Sequence, residues 1–228
     1  MAGSLPRLEL LGYELRAGVA RQVTDLVDLR TDTVRPGALP DAGTVAVVGE
    51  VRPFEDVVRP AGSLTPSVIC RVRVDAYPEP VPDPARRSFT DGTVVTDDVH
   101  AVPFVLADGT GRAVVDPVPR APEEGVTPEA TARPRAAYVT SDLRLPDAGL
   151  VVADRLRALD ERRRSWLRAT TDLADDAFVR VLERRVVPDD RLRVLGYRVR
   201  PGPDVERDVI NVGSLRVPFR VAPARGDR

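Results

Sequence analysis

The stretch Pro103-Phe-Val-Leu-Ala-Asp-Gly-Thr-Gly-Arg-Ala-Val-Val-Asp116 decides the fold class. Two apolar, β-branched runs flank Asp108-Gly-Thr-Gly111, and runs separated by so short a turn sequence read as a β-hairpin. Gly109 and Gly111 are expected to supply the positive φ of a tight turn. Asp108, Gly109 and Gly111 then form a structural turn and not a phosphate cradle, because neither the Lys nor the helix start of a P-loop follows.

Working outward, Thr44-Val-Ala-Val-Val-Gly-Glu-Val-Arg52 alternates Val45, Val47 and Val51 with Ala46, Val48 and Glu50, which is the period of a strand. Val68-Ile-Cys-Arg-Val-Arg-Val-Asp75 alternates more sharply, with Val68, Cys70, Val72 and Val74 on one face and Arg71, Arg73 and Asp75 on the other. Arg191-Leu-Arg-Val-Leu-Gly-Tyr-Arg-Val199 is a final long strand entered through Pro188-Asp-Asp190. The spacing predicts one mainly antiparallel, barrel-like sheet from strands near 44–52, 68–76, 102–107, 112–116 and 191–199.

Helical periodicity is confined to one region. Leu156, Leu159, Arg163, Trp166 and Leu167 step by three and four along Ala153–Arg168, with Arg163 interrupting the stripe. Leu173, Ala177, Val181 and Leu182 repeat the spacing after a start at Thr171-Asp172, so a helical insertion is expected over about 153–187. Leu11–Leu29 reads as either helix or irregular cover. Tyr77–Pro84 and Pro117–Pro134 are punctuated by proline, which removes amide donors and restricts the preceding residue, so both read as long loops. The organisation expected is an N-terminal cover segment (1–33), a β domain (34–220) and a C-terminal tail (221–228).

Composition excludes several functions. A chain of 228 residues, 43% hydrophobic and 30% charged, suits one or at most two globular domains. Its net charge of −1 gives no global positive field toward nucleic acid or anionic membranes, so such binding would need a local patch. All 34 basic residues are Arg, which reads as coding bias before it reads as chemistry. One Cys and one His build neither a structural zinc site nor an intrachain disulfide, and no metal or cofactor is implied. The lone thiol fits a reducing compartment, and a cytoplasmic location is expected. The N-terminal residues carry no secretory pattern, so the mature chain is expected to begin near Met1. Ala101–Ala107 is far shorter than the roughly 20 residues that span a bilayer.

No catalytic constellation emerges. His100, after Asp97-Asp98, lacks further nitrogen or sulfur ligands and reads as a solvated loop residue. No Gly-x-Ser-x-Gly elbow accompanies it. Cys70 lies on the apolar face of its strand, where a small buried thiol is commonplace. The doublets Glu123-Glu124, Asp175-Asp176 and Asp189-Asp190 point neighbouring carboxylates in different directions, unlike a paired acid/base site. Arg162, Arg163, Arg164 and Arg168 stand close to Asp154, Asp160 and Glu161, so a mixed, salt-bridged face is expected.

A strand of the form Val-x-Val-x-Gly-x-Val, an Arg-bearing strand, the hairpin Phe-x-Leu-x-Asp-Gly-Thr-Gly, a helical interlude and Asp-x-Leu-x-Val-x-Gly follow one another in the order of a Greek-key barrel, with the OB-fold as nearest architecture. The chain resembles the GIDE domain, known from a mitochondrial E3 ubiquitin ligase and from bacterial and archaeal proteins. The resemblance rests on Thr44–Val51, Pro60–Val74 with Cys70 ahead of Arg-Val-Arg-Val, Pro103–Pro117 and Glu183–Gly196, and covers roughly 34–220. It implies an OB-like antiparallel barrel with inserted helices. In the ligase a separate zinc RING carries the chemistry, and the single Cys here cannot make one. The transmembrane helices that usually flank the domain are missing too, so the resemblance implies at most membrane association through a partner.

The function expected is a non-catalytic interaction or scaffold module that binds a protein partner or another copy of itself. The alternative is an OB-type binder of single-stranded nucleic acid through Arg71 and Arg73 beside Arg191 and Arg193. The charge balance and the scarcity of aromatic stacking platforms count against nucleic acid.

Overall fold

The computed structural model describes residues 18–19, 21–80, 92–118, 141–145, 149–199, 208–210 and 219–224. The expected loops therefore fall outside the described residues from 81 and from 119 onward. Among the described residues the chain is mainly β. Helix α1 covers 21–30, with residues 18–19 helical ahead of it. The strands are β1 (Thr33–Val34), β2 (Gly43–Pro53), β3 (Ile69–Tyr77), β4 (Thr93–Ala101), β5 (Phe104–Asp108), β6 (Gly111–Asp116), β7 (Ser141–Leu143) and β8 (Gly149–Arg155), then β9 (Phe178–Val186), β10 (Arg191–Arg198), β11 (Val209–Ile210) and β12 (Phe219–Pro223). Helix α2 (Glu161–Thr170) lies between β8 and β9.

Two compact units result. One comprises residues 1–56, 102–145 and 188–228, the other 57–101 and 146–187, so the span expected as one β domain is divided. The first unit holds an eight-stranded sheet. In it β2 pairs antiparallel with β5 and β10, β5 with β6, and β10 with β11 and β12. The pairs β1–β2, β6–β11 and β7–β12 are parallel. Hydrogen bonding thus runs from β2 through β5, β6, β11 and β10 and returns to β2. Val47, Val51, Phe104, Leu106, Leu192, Val194, Phe219 and Val221 are buried along these strands. Val221–Pro223, expected to open the tail, belong to β12, which takes up one edge of β10.

The hairpin forms where the sequence places it, with Asp108 opposite Gly111. Its chemistry differs from expectation, because neither Gly109 nor Gly111 has a left-handed φ. The turn is held by Asp108, whose Oδ1 accepts from Thr110 N at 2.8 Å, Thr110 Oγ1 at 2.6 Å and Gly111 N at 3.3 Å. An aspartate that bonds the backbone two residues on builds such a turn without positive φ. Gly111 is required for another reason: a Cβ there would stand 2.8 Å from Gly37 Cα. Around a Cβ at Gly109, no atom of the described residues beyond its chain neighbours lies within 4 Å.

The second unit holds a four-stranded sheet in the order β4-β3-β9-β8, antiparallel throughout. The 68–76 strand was expected in the barrel-like sheet but lies here. Both of its edges are taken, by β4 and β9, which leaves no ladder for a strand of the other sheet. Its two faces follow the sequence. Cys70, Val72 and Val74 enter a core with Leu156, Leu159, Leu167, Val179 and Val181, while Arg71 and Arg73 stay exposed. Asp75, on the polar face, is nonetheless buried beside Arg73 and Arg180.

The helix expected over Leu173–Val187 is a correction: residues 178–186 are strand β9, and 149–155 form β8. Residues four apart share a face in a strand as they do in a helix, so Leu173, Ala177 and Val181 satisfied both periods. The β-branched content of Phe178-Val-Arg-Val was the better guide. Helix α2 begins after Asp160, whose side chain caps it by accepting from Arg163 N at 3.0 Å. It buries Leu167, with Trp166 against the same core. Full burial of a leucine contributes about 1.5–3 kcal/mol. Arg163, the break in the apolar stripe, donates from Nε and Nη2 to Gly62 O at 3.0 and 2.9 Å.

Candidate functional site

The first unit carries a cleft of about 1180 Å³. Its cationic lining is built from α1 upward. Asp25 and Asp28 lie three apart on that helix and so share a face. Arg220 of β12 binds Asp25 at 2.5 Å and Asp28 at 2.8 Å, and its side chain is 5% exposed. Arg144 reaches Asp25 at 2.6 Å. Arg193 of β10 pairs with Asp28 and donates to Thr33 Oγ1 at 3.0 Å and Thr31 O at 3.3 Å. Hydrogen bonding from Arg220 holds the Asp25 carboxyl below its ordinary value of 3.8, against the opposing effect of burial. These contacts fix the helix on the sheet.

Among the described residues the cleft is lined by five arginines and four carboxylates: Arg35, Arg144, Arg191, Arg193 and Arg220 with Asp28, Glu50, Asp108 and Asp189. Glu50 and Asp189 both bind Arg52, and Asp108 is engaged in its own turn. Arg35 and Arg191 are exposed, and among the described residues neither side chain has a hydrogen bond or ion pair, although the Arg35 charge is felt at Asp108. Among the described residues no aromatic side chain lines the cleft.

The residues expected to form one basic surface are divided between the two units. Arg191 and Arg193 lie on β10, Arg71 and Arg73 on β3 of the other sheet. Three of the four are paired. Arg71 grips Asp97 through two bonds, Nε to Oδ1 at 2.6 Å and Nη2 to Oδ2 at 2.7 Å, and Arg73 Nε donates to Asp75 at 2.7 Å. Asp75 also binds Arg180 at 2.6 Å, both nearly fully buried, and the Arg180 guanidinium stands 5.7 Å from the Tyr77 ring centre. Opposite charges across neighbouring strands stabilise a sheet, and this ladder does so.

Cys70 is fully buried, and burial together with the Glu183 charge pushes its thiol up to about 12. A nucleophile needs the thiolate, so the geometry assigns Cys70 to the core. His100 stands exposed on β4, not in the expected loop, because Cys70 pairs with it across the ladder. Among the described residues no three His, Cys, Asp or Glu side chains gather as metal ligands, and no helix is long and apolar enough to cross a membrane. The expected mixed face on α2 is present as Arg163–Asp160, Arg164–Glu161 and Arg168–Asp175.

Sequence reasoning missed Arg35, Arg144 and Arg220 as a group with Arg191 and Arg193. The available signal was Asp25 and Asp28 on a helix-compatible segment whose other face is apolar. Comparison with protein-family models, curated proteins and solved structures finds no match.

Proposed function

We propose that the chain is a non-catalytic, GIDE-like interaction module without ubiquitin-ligase activity of its own, and that its first unit is an OB-like barrel. The circuit β2-β5-β6-β11-β10-β2 supports the architecture: every pairing in it is antiparallel except β6–β11, the connectivity of a five-stranded Greek-key barrel.

The outer face of α1 carries the functional reading. Asp25 and Asp28 turn one side of the helix to the sheet, while Val19, Leu26 and Leu29 are 52%, 58% and 85% exposed. Leu26 and Leu29, three apart, share a side of α1, and Leu29 also borders the cleft. Single exposed apolar residues are ordinary, but a stripe of them rimmed by charge marks a protein interface. The occupant is a protein partner or a second copy of the chain. Nucleic acid is not favoured, because Arg71, Arg73 and Arg193 are already ion-paired.

Affinity capture from the native host with wild-type protein and the Leu26→Asp variant, whose changed side chain lies outside the cleft lining, tests the reading. A partner, or a tagged second copy, is expected with wild type and absent with the variant at unchanged melting temperature. Identical capture by both proteins overturns it. Reconstitution with ubiquitin-activating and ubiquitin-conjugating enzymes is expected to show no ubiquitin transfer beyond the enzymes alone.

A further inference from the structure

We propose that the arginine-lined cleft of the first unit binds a small phosphorylated polyhydroxy compound, of the sugar-phosphate class. This goes beyond the α1 face; Leu29 borders both, so the cleft is tested through Arg35 and Arg191 and the face through Leu26. Arg193 and Arg220 are locked on Asp28, so their geometry is fixed, whereas Arg35 and Arg191 border the same space with no hydrogen bond or ion pair among the described residues. A guanidinium presents paired donors that match a phosphate, and two of them on one cleft suit a doubly charged group.

The rest of the lining selects within phosphate chemistry. Glu50, Asp108 and Asp189 would repel an extended polyanion, which disfavours pyrophosphate and a nucleic-acid backbone. Each carboxylate keeps lone pairs beyond its present bonds, and neutral hydroxyls are the donors that fill them without adding charge. Among the described lining residues there is no aromatic platform for a base, so a nucleotide gains nothing there from its ring system. A phosphate on the arginines with hydroxyls on the carboxylates satisfies both halves of the cleft.

Isothermal titration of the full chain in low salt with glycerol 3-phosphate, ribose 5-phosphate, glucose 6-phosphate, inorganic phosphate, pyrophosphate, ADP and a short single-stranded oligonucleotide tests the assignment. At least one sugar or polyol phosphate is expected to saturate with a Kd below about 1 mM, about tenfold or more tighter than inorganic phosphate or pyrophosphate. Arg35→Gln/Arg191→Gln is expected to weaken it about tenfold or more, and added salt to weaken it further. Arg112→Gln, an exposed arginine outside the cleft, is the control for nonspecific charge. Melting temperatures of both variants at the wild-type value exclude misfolding. Failure of every sugar or polyol phosphate to outbind inorganic phosphate, tightest binding to pyrophosphate, ADP or the oligonucleotide, or equal binding by the double variant overturns the proposal.

Discussion

Replacing Gly111 with Ala separates two explanations of the hairpin. A methyl group at Gly111 would stand 2.8 Å from Gly37 Cα and 3.0 Å from Gly37 N, both backbone atoms of the turn Pro36–Ala38. No side-chain rotation relieves such a contact, so one segment must shift. Overpacking of this kind costs about 1–3 kcal/mol. At about 2–4 °C per kcal/mol for a chain of this size, the melting temperature falls by about 2–12 °C. Gly109 shares with Gly111 a φ that is not left-handed but differs in its surroundings: no atom of the described residues beyond its chain neighbours lies within 4 Å of a Cβ there. Gly109→Ala therefore stays within about 0.5 kcal/mol of wild type. Both variants are compared with wild type by differential scanning calorimetry in one buffer at one protein concentration. Equal destabilisation by the two substitutions would restore positive φ as the reason for the glycines and refute the close-approach argument.

Asp75→Ala removes the carboxylate that Arg73 and Arg180 share; leaving the buried Arg180 without it costs about 3–5 kcal/mol by thermal or denaturant unfolding, and a change below about 1 kcal/mol would contradict the network. Cys70 should resist a water-soluble disulfide reagent at pH 8 in the native protein and react at once in denaturant, since its thiol is buried and pushed up to about 12; prompt native reaction would refute the core assignment. Asp25, Asp108 and Asp160 have carboxyls held below the ordinary 3.8, by hydrogen bonds from Arg220, from Thr110 and from the Arg163 backbone N–H respectively. Depressed carboxylates contribute stability that is complete above the unfolded value and lost as pH falls through the lower folded value, so the melting temperature should decline below about pH 4; a rise there would reverse the sign.

The hairpin and the strands at 44–52 and 191–199 were legible because alternation over several residues carries one face into a core. The same alternation read the Cys70 and Arg71 faces of β3 correctly. It could not assign β3 to a sheet, since sheet membership depends on which strands take its edges, and β9, one of those two partners, imitated a helix through its four-residue spacing. Asp108 was legible as part of a turn, whereas the need for Gly111 was not, because Gly37 lies 74 residues earlier in the chain. The cleft was hidden for the same reason: Asp28, Arg193 and Arg220 meet only after α1 settles on β10 and β12.

Photo-crosslinking in the native host tests most directly whether the outer face of α1 is an interface. A benzophenone amino acid placed at Leu26 should yield a discrete adduct, with a partner or with a second copy, while the same group at the exposed position Arg112 yields none. Absence of any adduct from Leu26, or the same adducts from both positions, would contradict it.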